Sequence, residues 1–423
     1  MLITQARWLS PEGEFRTGNL RIKEQRIQEM GRRLMPLPAE ETFSARGLII
    51  LPGAIDPHVH FREPGQLYKE GILNASRAAL KGGVTTVLDM PNNKPPCSTP
   101  GRLQKKKSLF RDKCLVNWGL HYHAGRRTDE EIVGQAKAVK IYMAQSSALP
   151  AITESEELQR IFAAYPRISI HAEDETAFIH DSAVTLHHER RPQLAVASAL
   201  SKIEQALKKL AKARRPRLII CHMNTALEVS WLRRIKEEGF DVWGETAPHY
   251  LYFTREDYLA KGALYQVNPP LRSEEDRQAL LAALDQGVID FIGSDHAPHD
   301  LAEKGSDRPP SGIAGIEWLL PLMLHLVDEG KLNWRRLHQV LVSNAANCYA
   351  IERRNGIETG NYADLVFVKQ YEKADLTDQV VTRAAVNLYD AWTLRWRVQA
   401  AMVNGTFKFR DGRFVSDETG MEV

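Results

Sequence analysis

The sequence has little net charge, few cysteines and no long hydrophobic run. Lysine and arginine exceed aspartate and glutamate by only three charges in 423 residues. The basic cluster at 105–107 is interpreted as a solvated helix face, so nucleic acid is not an expected partner. No stretch approaches the roughly 18 consecutive apolar residues of a membrane span. The first ten residues lack the basic and apolar segments of a signal peptide. These absences favour a soluble protein without a membrane partner.

The four cysteines lie far apart along the chain and include no C-x-x-C pair. Wide separation favours free thiols over a disulfide framework, and free thiols persist in a reducing cytoplasm. The sequence therefore predicts a cytoplasmic protein. Cys221 adjoins a candidate ligand, His222, but is interpreted as a packing residue within a strand.

The apolar pattern divides the chain into a central part and two β-rich ends. Residues 1–50 are predicted to form short strands and turns, because apolar and polar residues alternate in two segments of this range. Residues 350–423 contain strand and hairpin sequences, with strong turn signals at Asn404-Gly405 and Asp411-Gly412. The two ends are predicted to form one small, sandwich-like β domain around a catalytic domain at 51–349.

Short apolar runs alternate with amphipathic helical segments through the central part. Eight strands with helical crossovers over about 250 residues predict an α/β fold, a (β/α)8 barrel of the TIM type. The alternative is a doubly wound open sheet, but the Gly-rich phosphate turn that would favour it is missing after the first strand. The strand candidates are Ile50–Ile55, Val84–Met90, Leu115–His121, Val139–Met143, Ile168–His171, Leu218–His222, Val242–Thr246 and Ile289–Gly293.

The first predicted strand is followed by two histidines, His58 and His60. Residues i and i+2 of a strand face the same side, so both imidazoles can point at one ion. A lone H-x-H is a weak signal. His121-Tyr-His123 has the same spacing, and because nothing else supports it as a ligand pair, a structural role is favoured there.

Lys140 lies between apolar residues on the fourth predicted strand. A buried ammonium is costly unless it is paired. One interpretation places Lys140 at the strand's rim, paired with a carboxylate. The other is carbamylation by carbon dioxide, which would turn the cation into an anion able to bridge two divalent metals.

Further candidate ligands end other strands: His171 on the fifth, His222 on the sixth and Asp295 on the eighth. Singly, each histidine is more often an ordinary hydrogen-bonded residue. Active sites of such barrels lie at the carboxyl ends of the strands. Jointly, these residues, His58, His60 and Lys140 fall on that one rim. Imidazole and carboxylate ligands suit zinc and related divalent ions, so the sequence predicts a metal site.

The constellation resembles that of the amidohydrolase superfamily over residues 50–345 and the split β domain. Within it, the motifs most resemble those of the dihydroorotases. The matching segments are His58-Val-His-Phe-Arg-Glu-Pro-Gly65, Asp89-Met-Pro-Asn92, Gly244-Glu-Thr-Ala-Pro-His249, Val267-Asn-Pro-Pro-Leu-Arg272 and Ser294-Asp-His-Ala-Pro-His299.

The resemblance implies a role for each matching residue. His58, His60 and Asp295 would hold the more buried of two divalent metals, most plausibly zinc, and His171 and His222 the second. Lys140, as its N6-carboxylated form, would bridge them. Asp295 would also be the general base and acid for a metal-bridging hydroxide. The substrate would be bound by Arg62, Asn92, Asn268 and His299.

The implied activity interconverts dihydroorotate and N-carbamoyl-L-aspartate in pyrimidine (UMP) biosynthesis. One alternative is another cyclic-amide hydrolase: a hydantoinase, dihydropyrimidinase or allantoinase. Those relatives generally lack an arginine at the position of Arg62. Another alternative is a non-catalytic structural partner of aspartate transcarbamoylase. The resemblance also implies a homodimer and a possible association with that enzyme.

The sequence departs from the dihydroorotase pattern at Asn93, Asn224 and Ser311, and none of these changes removes a ligand. Asn93 and Ser311 are expected near the substrate pocket. Ala302–Ile313, rich in Gly, Pro and charge, is the candidate lid.

Overall fold

A computed structural model describes residues 1–125, 128–146, 149–376, 380–389 and 392–423. They contain two β-sheets, one of nine strands built from both ends of the chain and one of eight strands from its middle. No helix in these ranges combines the length and apolar character needed to cross a bilayer.

The nine-stranded sheet joins the N-terminal and C-terminal segments, as predicted. Its order is β17-β16-β15-β14-β5-β1-β2-β3, with β4 paired to β1. At both predicted turns, Asn404-Gly405 and Asp411-Gly412, the two residues have positive φ, which fits the two-residue hairpins they close. The strands are β1 Leu2–Leu9, β2 Phe15–Lys23, β3 Arg26–Gly31, β4 Thr42–Ser44, β5 Ile49–Pro52, β14 Leu365–Gln370, β15 Trp396–Val403, β16 Thr406–Arg410 and β17 Arg413–Phe414.

The eight-stranded sheet is the predicted parallel barrel. Its strands follow one another in chain order, and its two edges meet where the His60 N–H donates to the carbonyl oxygen of His296 at 2.9 Å. A sheet closed in this way brings the carboxyl ends of all eight strands to one rim. The strands are β6 Ala54–Val59, β7 Val84–Asp89, β8 Asn117–His123, β9 Ala138–Tyr142, β10 Arg167–His171, β11 Arg217–Ile220, β12 Val242–Thr246 and β13 Phe291–Ile292.

Helices connect the barrel strands and cover its outside. Local sequence sets their starts: Thr225 and Ser273 each form a capping box with an acidic residue three positions later. The helices are α1 Ile72–Lys81, α2 Pro100–Lys113, α3 Ser155–Ala164, α4 His187–Arg190, α5 Gln193–Lys208, α6 Ala226–Glu237, α7 Pro248–Tyr252, α8 Arg255–Lys261, α9 Glu274–Gln286, α10 Leu301–Lys304, α11 Leu319–Asp328, α12 Trp334–His338 and α13 Asn344–Tyr349.

The single strand predicted over Ile50–Ile55 is wrong, because the segment contains parts of two strands. β5 pairs antiparallel with β14 in the composite sheet, whereas β6 belongs to the barrel. Only one residue, Gly53, separates the two strands. A Cβ at Gly53 would lie 2.0 Å from Thr85 Oγ1, so this junction requires glycine. A continuous apolar run does not show that the chain changes sheets within it.

Candidate active site

The carboxyl ends of the barrel strands surround a cavity of about 340 Å³. Every predicted site residue except Lys140 lines it. These residues are His58, His60, Arg62, Asn92, His171, His222, Asn268, Asp295 and His299. The structure therefore brings together side chains from strands far apart in sequence.

The imidazoles of His58, on β6, and His60, just after β6, converge on one carboxylate. Nε2 of His60 lies 3.1 Å and Nε2 of His58 lies 3.5 Å from Asp295 Oδ1. The three ligand atoms lie within 4.8 Å of one another, and all three residues are buried. A divalent cation among these atoms would receive two nitrogen ligands and one oxygen ligand, a combination typical of zinc sites.

Asp56 fixes the strand that carries these histidines. Its Oδ1 accepts hydrogen bonds from the backbone N–H groups of His58, at 3.1 Å, and Ser294, at 3.0 Å. One carboxylate oxygen therefore joins β6 to the segment before Asp295, and it sets the spacing between the ligands of the two segments.

His171 and His222 form a second pair. His171 Nδ1 lies 3.0 Å from His222 Nε2, and both side chains are buried. Nδ1 of His222 has no hydrogen-bond partner among the described residues.

Buried glutamates determine which ring nitrogens face the cavity. Glu173 Oε2 lies 3.0 Å from His171 Nε2. Burial acts to raise the pKa of Glu173, but the Arg191 guanidinium and the His171 contact outweigh it and hold that pKa below its ordinary value. Glu173 is therefore a carboxylate that accepts from Nε2–H of His171, which leaves a lone pair on Nδ1.

Glu245 orients one ring of the first histidine pair, that of His58. Its Oε1 accepts from the backbone N–H of His222 at 3.3 Å and lies 2.6 Å from His58 Nδ1. Burial raises the pKa of Glu245 to about 8. The contact orients the His58 ring so that Nε2 faces Asp295.

These proton positions give a test of whether the residues fit metal ions. With Nε2–H of His171 donated to Glu173, the His171 lone pair faces Nε2 of His222 at 3.0 Å. Nε2–H of His222 can donate to this lone pair, and without that proton the two nitrogen lone pairs would repel unless a cation lay between them. The donors of both histidine pairs therefore fit divalent cations.

Lys140 lies beneath the cavity and is fully buried. Its Nζ lies 2.9 Å from Cys221 Sγ and 5.4 Å from the centre of the Tyr142 ring. No carboxylate among the described residues lies within ion-pair distance of it, so the interpretation of Lys140 as a carboxylate-paired residue at the rim is wrong. A buried ammonium with so little compensation is costly, and conversion to a carbamate at a cation site would remove that cost.

The opposite wall of the cavity is positively charged. Arg62 Nη2 lies 3.2 Å from His299 Nε2, and Lys69 Nζ lies 3.0 Å from His299 Nδ1. Glu303 pairs with Lys69 at 2.7 Å. Burial, followed by the neighbouring Arg62 and Lys69, lowers the pKa of His299 to about 2, so the imidazole is neutral at pH 7. This wall is suited to a carboxylate.

Two asparagines also line the cavity. His60 Nδ1 lies 2.7 Å from Asn92 Oδ1, and Asn92 Nδ2 donates to Ser146 Oγ at 3.3 Å. Asn268 Oδ1 lies 2.8 Å from His187 Nε2. Both side chains line the cavity and offer it amide groups.

Three predicted residues have backbones in the left-handed region although none is glycine. The φ angles are 64° at Arg62, 39° at His222 and 46° at Asp295. This conformation costs energy for a residue with a Cβ, and it is concentrated at functional sites. Here it turns each side chain into the cavity immediately after a strand ends.

Sequence reasoning missed several residues with clear contacts in the site: Glu173, Glu245, Lys69, Arg191 and His187. Glu173 and Glu245 lie at the carboxyl ends of barrel strands, and that position is the available signal. His187 lies on a short helix with no pattern to mark it.

The departures from the dihydroorotase pattern have different surroundings. Ser311 lines the cavity, as expected, but Asn93 does not and instead donates to the carbonyl oxygen of Glu63 at 3.0 Å. Asn224 Nδ2 donates to the carbonyl oxygen of Pro270 at 2.6 Å. Asn224 therefore supports the segment that carries Asn268.

The candidate lid, Ala302–Ile313, forms part of one cavity wall through Pro310, Ser311 and Gly312. Its Gly312 N–H and Lys304 Nζ both donate to the carbonyl oxygen of Gln266, at 2.9 and 3.0 Å. Its role as a lid stays a prediction.

His121 and His123 do not line the cavity. His121 Nε2 donates to the carbonyl oxygen of Pro57 at 3.1 Å within the buried barrel. These contacts favour the structural role predicted for this second H-x-H.

We expect Glu245→Gln to weaken metal binding about 10- to 100-fold, because an amide replaces the carboxyl group that orients His58. Metal affinity is measured by titrating metal-free protein. Glu317→Gln is the matched control: Glu317 is also buried, but it accepts from the backbone N–H groups of Val381 and Thr382 and does not line the cavity. Equal metal affinity in the two variants would contradict the role of Glu245.

We expect Gly65→Ala to destabilise the loop after β6. Gly65 has φ of 94°, and a Cβ there would lie 1.6 Å from the carbonyl oxygen of Lys94. The expected loss is at least about 2 kcal/mol of unfolding free energy, measured by urea denaturation. Gly101→Ala is the control, because nothing lies within 4 Å of a Cβ at that position. An unfolding midpoint for Gly65→Ala equal to that of the control would refute this reading of the loop.

Comparison with known proteins supports the barrel and the class of enzyme. The pattern of the Amidohydrolase family matches residues 49–408. Dihydroorotase from Pyrococcus furiosus is 32% identical over 382 residues, which cover 89% of this chain and 86% of that protein. Dihydroorotase from a Geobacillus strain is 31% identical and covers 98% of this chain and 99% of that protein.

Among solved structures, L-hydantoinase (dihydropyrimidinase) from Arthrobacter aurescens superposes with a TM-score of 0.88 at 25% identity, covering 98% of this chain and 97% of that one. Dihydropyrimidinase from Brevibacillus agri has a TM-score of 0.87 at 21% identity, covering 100% of this chain and 98% of that one, and shows the fold alone. The chain belongs to the amidohydrolase family. That membership confirms the predicted class of enzyme, a hydrolase, and the predicted barrel with a composite sheet from both termini.

Proposed function

We propose that the protein is a dihydroorotase, which interconverts dihydroorotate and N-carbamoyl-L-aspartate in pyrimidine biosynthesis. The observation that carries the proposal is the placement of Arg62 and His299 across the cavity from the histidine and aspartate cluster. A carboxylate bound at that wall would direct the ring amide towards the ligands. The relatives named dihydroorotase support the same choice.

We infer that two divalent metals, with zinc as the proposed ion, belong to this site. His58, His60 and Asp295 would hold one, and His171 and His222 the other, with carbamylated Lys140 between them. The nitrogen and oxygen donors and the 3.0 Å approach of His171 Nδ1 to His222 Nε2 support this set. When bound, such metals polarise a ring carbonyl and lower the pKa of water.

The protein's own residues position the substrate and move the proton. Arg62 would bind the substrate carboxylate through charge-assisted hydrogen bonds, with Asn92 and His299 completing the subsite. Asn268 would fix the ring. The Asp295 carboxylate would take the proton of the attacking water and deliver it to the leaving ring nitrogen. Ring closure is the microscopic reverse, in which N-carbamoyl-aspartate loses water.

A hydantoinase or dihydropyrimidinase activity is the second candidate, because the A. aurescens L-hydantoinase superposes over nearly the whole chain. Arg62 distinguishes the two, since a cyclic amide without a carboxylate has no group for a buried guanidinium. A non-catalytic structural role is less well supported, because all six proposed ligands are present. The homodimer, association with aspartate transcarbamoylase and cytoplasmic location stay predictions.

The test is a dihydroorotate assay of the purified protein, run with metal analysis of the same sample. We expect about two metals per chain, and we expect the protein to interconvert dihydroorotate and carbamoyl-aspartate in both directions. Hydantoin and dihydrouracil are the control substrates. Turnover of either by fully metallated protein, with none of dihydroorotate, would overturn the assignment.

A further inference from the structure

His187, the first residue of α4, determines which way the cavity residue Asn268 faces. His187 Nε2 lies 3.0 Å from the carbonyl oxygen of Val267 and 2.8 Å from Asn268 Oδ1. A carbonyl oxygen only accepts, so Nε2 of His187 carries a hydrogen. The amide atom of Asn268 beside Nε2 must then be its oxygen, which leaves the amide nitrogen to the cavity.

The protonation and the backbone position of His187 support this orientation. Burial, with the nearby Arg191 charge, lowers the pKa of His187 to about 4, so the ring is neutral at pH 7 and holds one hydrogen. Its backbone N–H donates to the Tyr258 hydroxyl at 3.3 Å. This hydrogen bond fixes the backbone at the start of α4, and with it the position of the His187 ring.

The segment that carries Asn268 is held by its carbonyl groups. Tyr250 hydroxyl donates to the carbonyl oxygen of Pro269 at 2.6 Å, and Asn224 Nδ2 to that of Pro270 at 2.6 Å. The carbonyl oxygens of Gln266 and Val267 also accept hydrogen bonds, from Lys304 and His187. Four of the five carbonyl oxygens over 266–270 therefore accept a hydrogen bond. The amide of Asn268 is consequently presented from a fixed backbone.

The rest of the cavity is rich in donors. Asp295 is its only carboxylate among the described residues, whereas four lining side chains are cations. Those cations are Arg62, Lys69, Lys94 and Arg191. The second amide has its oxygen on the side of a histidine too, with Asn92 Oδ1 2.7 Å from His60 Nδ1. A ligand that matches this lining carries several oxygen acceptors.

We propose that His187 is a positioning residue that holds Asn268 with its amide nitrogen towards the cavity, so that Asn268 selects a ring carbonyl oxygen over a ring N–H. This inference rests on the proposed function for the identity of the ring. It goes beyond that function because it assigns a role to a residue outside the cavity and a donor sense to Asn268.

The test compares two substitutions of similar size in the metal-loaded protein. His187→Gln keeps a donor near the position of Nε2, whereas His187→Met has none. Binding of orotate, which has ring carbonyls and a carboxylate, and of succinate, which has carboxylates without a ring, is measured by calorimetry. We expect His187→Met to weaken orotate binding about tenfold and to leave succinate unchanged, and His187→Gln to stay near the wild type. Loss of both ligands alike, or of neither, would overturn the proposal.

A second variant and a ligand-free measurement make the test independent of folding and of the proposed function. Asn268→Asp keeps an acceptor for His187 but removes the donor, so it should lose orotate affinity about as much as His187→Met. Nitrogen NMR of the imidazoles, assigned with His187→Gln, should show the Nε2–H tautomer of His187 at neutral pH. Observation of the Nδ1–H tautomer would contradict the inference. Wild-type protein that neither binds orotate nor converts dihydroorotate would instead refute the proposed function, while the tautomer still decides the orientation.

Discussion

Replacing Lys140 with alanine is expected to abolish activity, with a loss of at least about a thousandfold. The side chain is fully buried, and among the described residues its Nζ contacts Cys221 Sγ and the face of Tyr142. As a carbamate it would supply the charge that holds two cations together, and losing several kcal/mol of metal stabilisation corresponds to that rate effect. Activity and metal content are measured on the same protein.

A short carboxylic acid such as propionate should partly restore activity to Lys140→Ala, because it can occupy the space of the carbamate. Metal-free wild-type protein should also need bicarbonate as well as metal to recover. Lys137→Ala is the matched control, since Lys137 precedes the same strand at the opposite end of the barrel and donates to the carbonyl oxygen of Ala350. Full metal content and unchanged activity in Lys140→Ala would rule out the bridging role.

The second large effect is expected for Arg62→Met, with kcat/KM for dihydroorotate falling about 100- to 1,000-fold. Arg62 is buried beside neutral His299, so its charge is available for a ligand carboxylate. Removing one partner of a buried charge-assisted contact costs about 3–4 kcal/mol. Most of the loss should appear in KM, because binding of the carboxylate precedes the chemical step.

Metal content should persist in Arg62→Met, and this separates substrate recognition from metal binding. Arg62→Lys keeps the charge but loses the planar pair of donors, so an intermediate activity is expected. Loss of the metals along with activity would mean that Arg62 supports the metal site instead of the substrate.

The ligand set could be predicted because strand geometry restricts it. His58 and His60 differ by two residues, and Lys140, His171 and Asp295 lie on or just after strands, so the barrel alone places them on one rim. The structure places all of these residues at or beneath one cavity.

Other features depend on contacts that no local pattern contains. His58 and Glu245 are 187 residues apart, and His187 and Asn268 are 81 apart. Such pairs follow from side-chain packing in the closed barrel, which a single sequence does not specify. The first strand is predicted wrongly for a related reason: Ile50–Ile55 is apolar and buried throughout, although its two halves belong to different sheets.

The single glycine between β5 and β6 limits how this enzyme can be recombined with its relatives. Domains that are exchanged successfully are usually joined by an exposed linker with few crossing contacts. Here β5 pairs with strands from both ends of the chain, and β6 contains His58 and leads directly to His60. Exchanging the composite sheet as a module would therefore shift the register of the strand that carries two proposed ligands. Chimeras should keep this strand pair from one parent and exchange the loops at the rim instead.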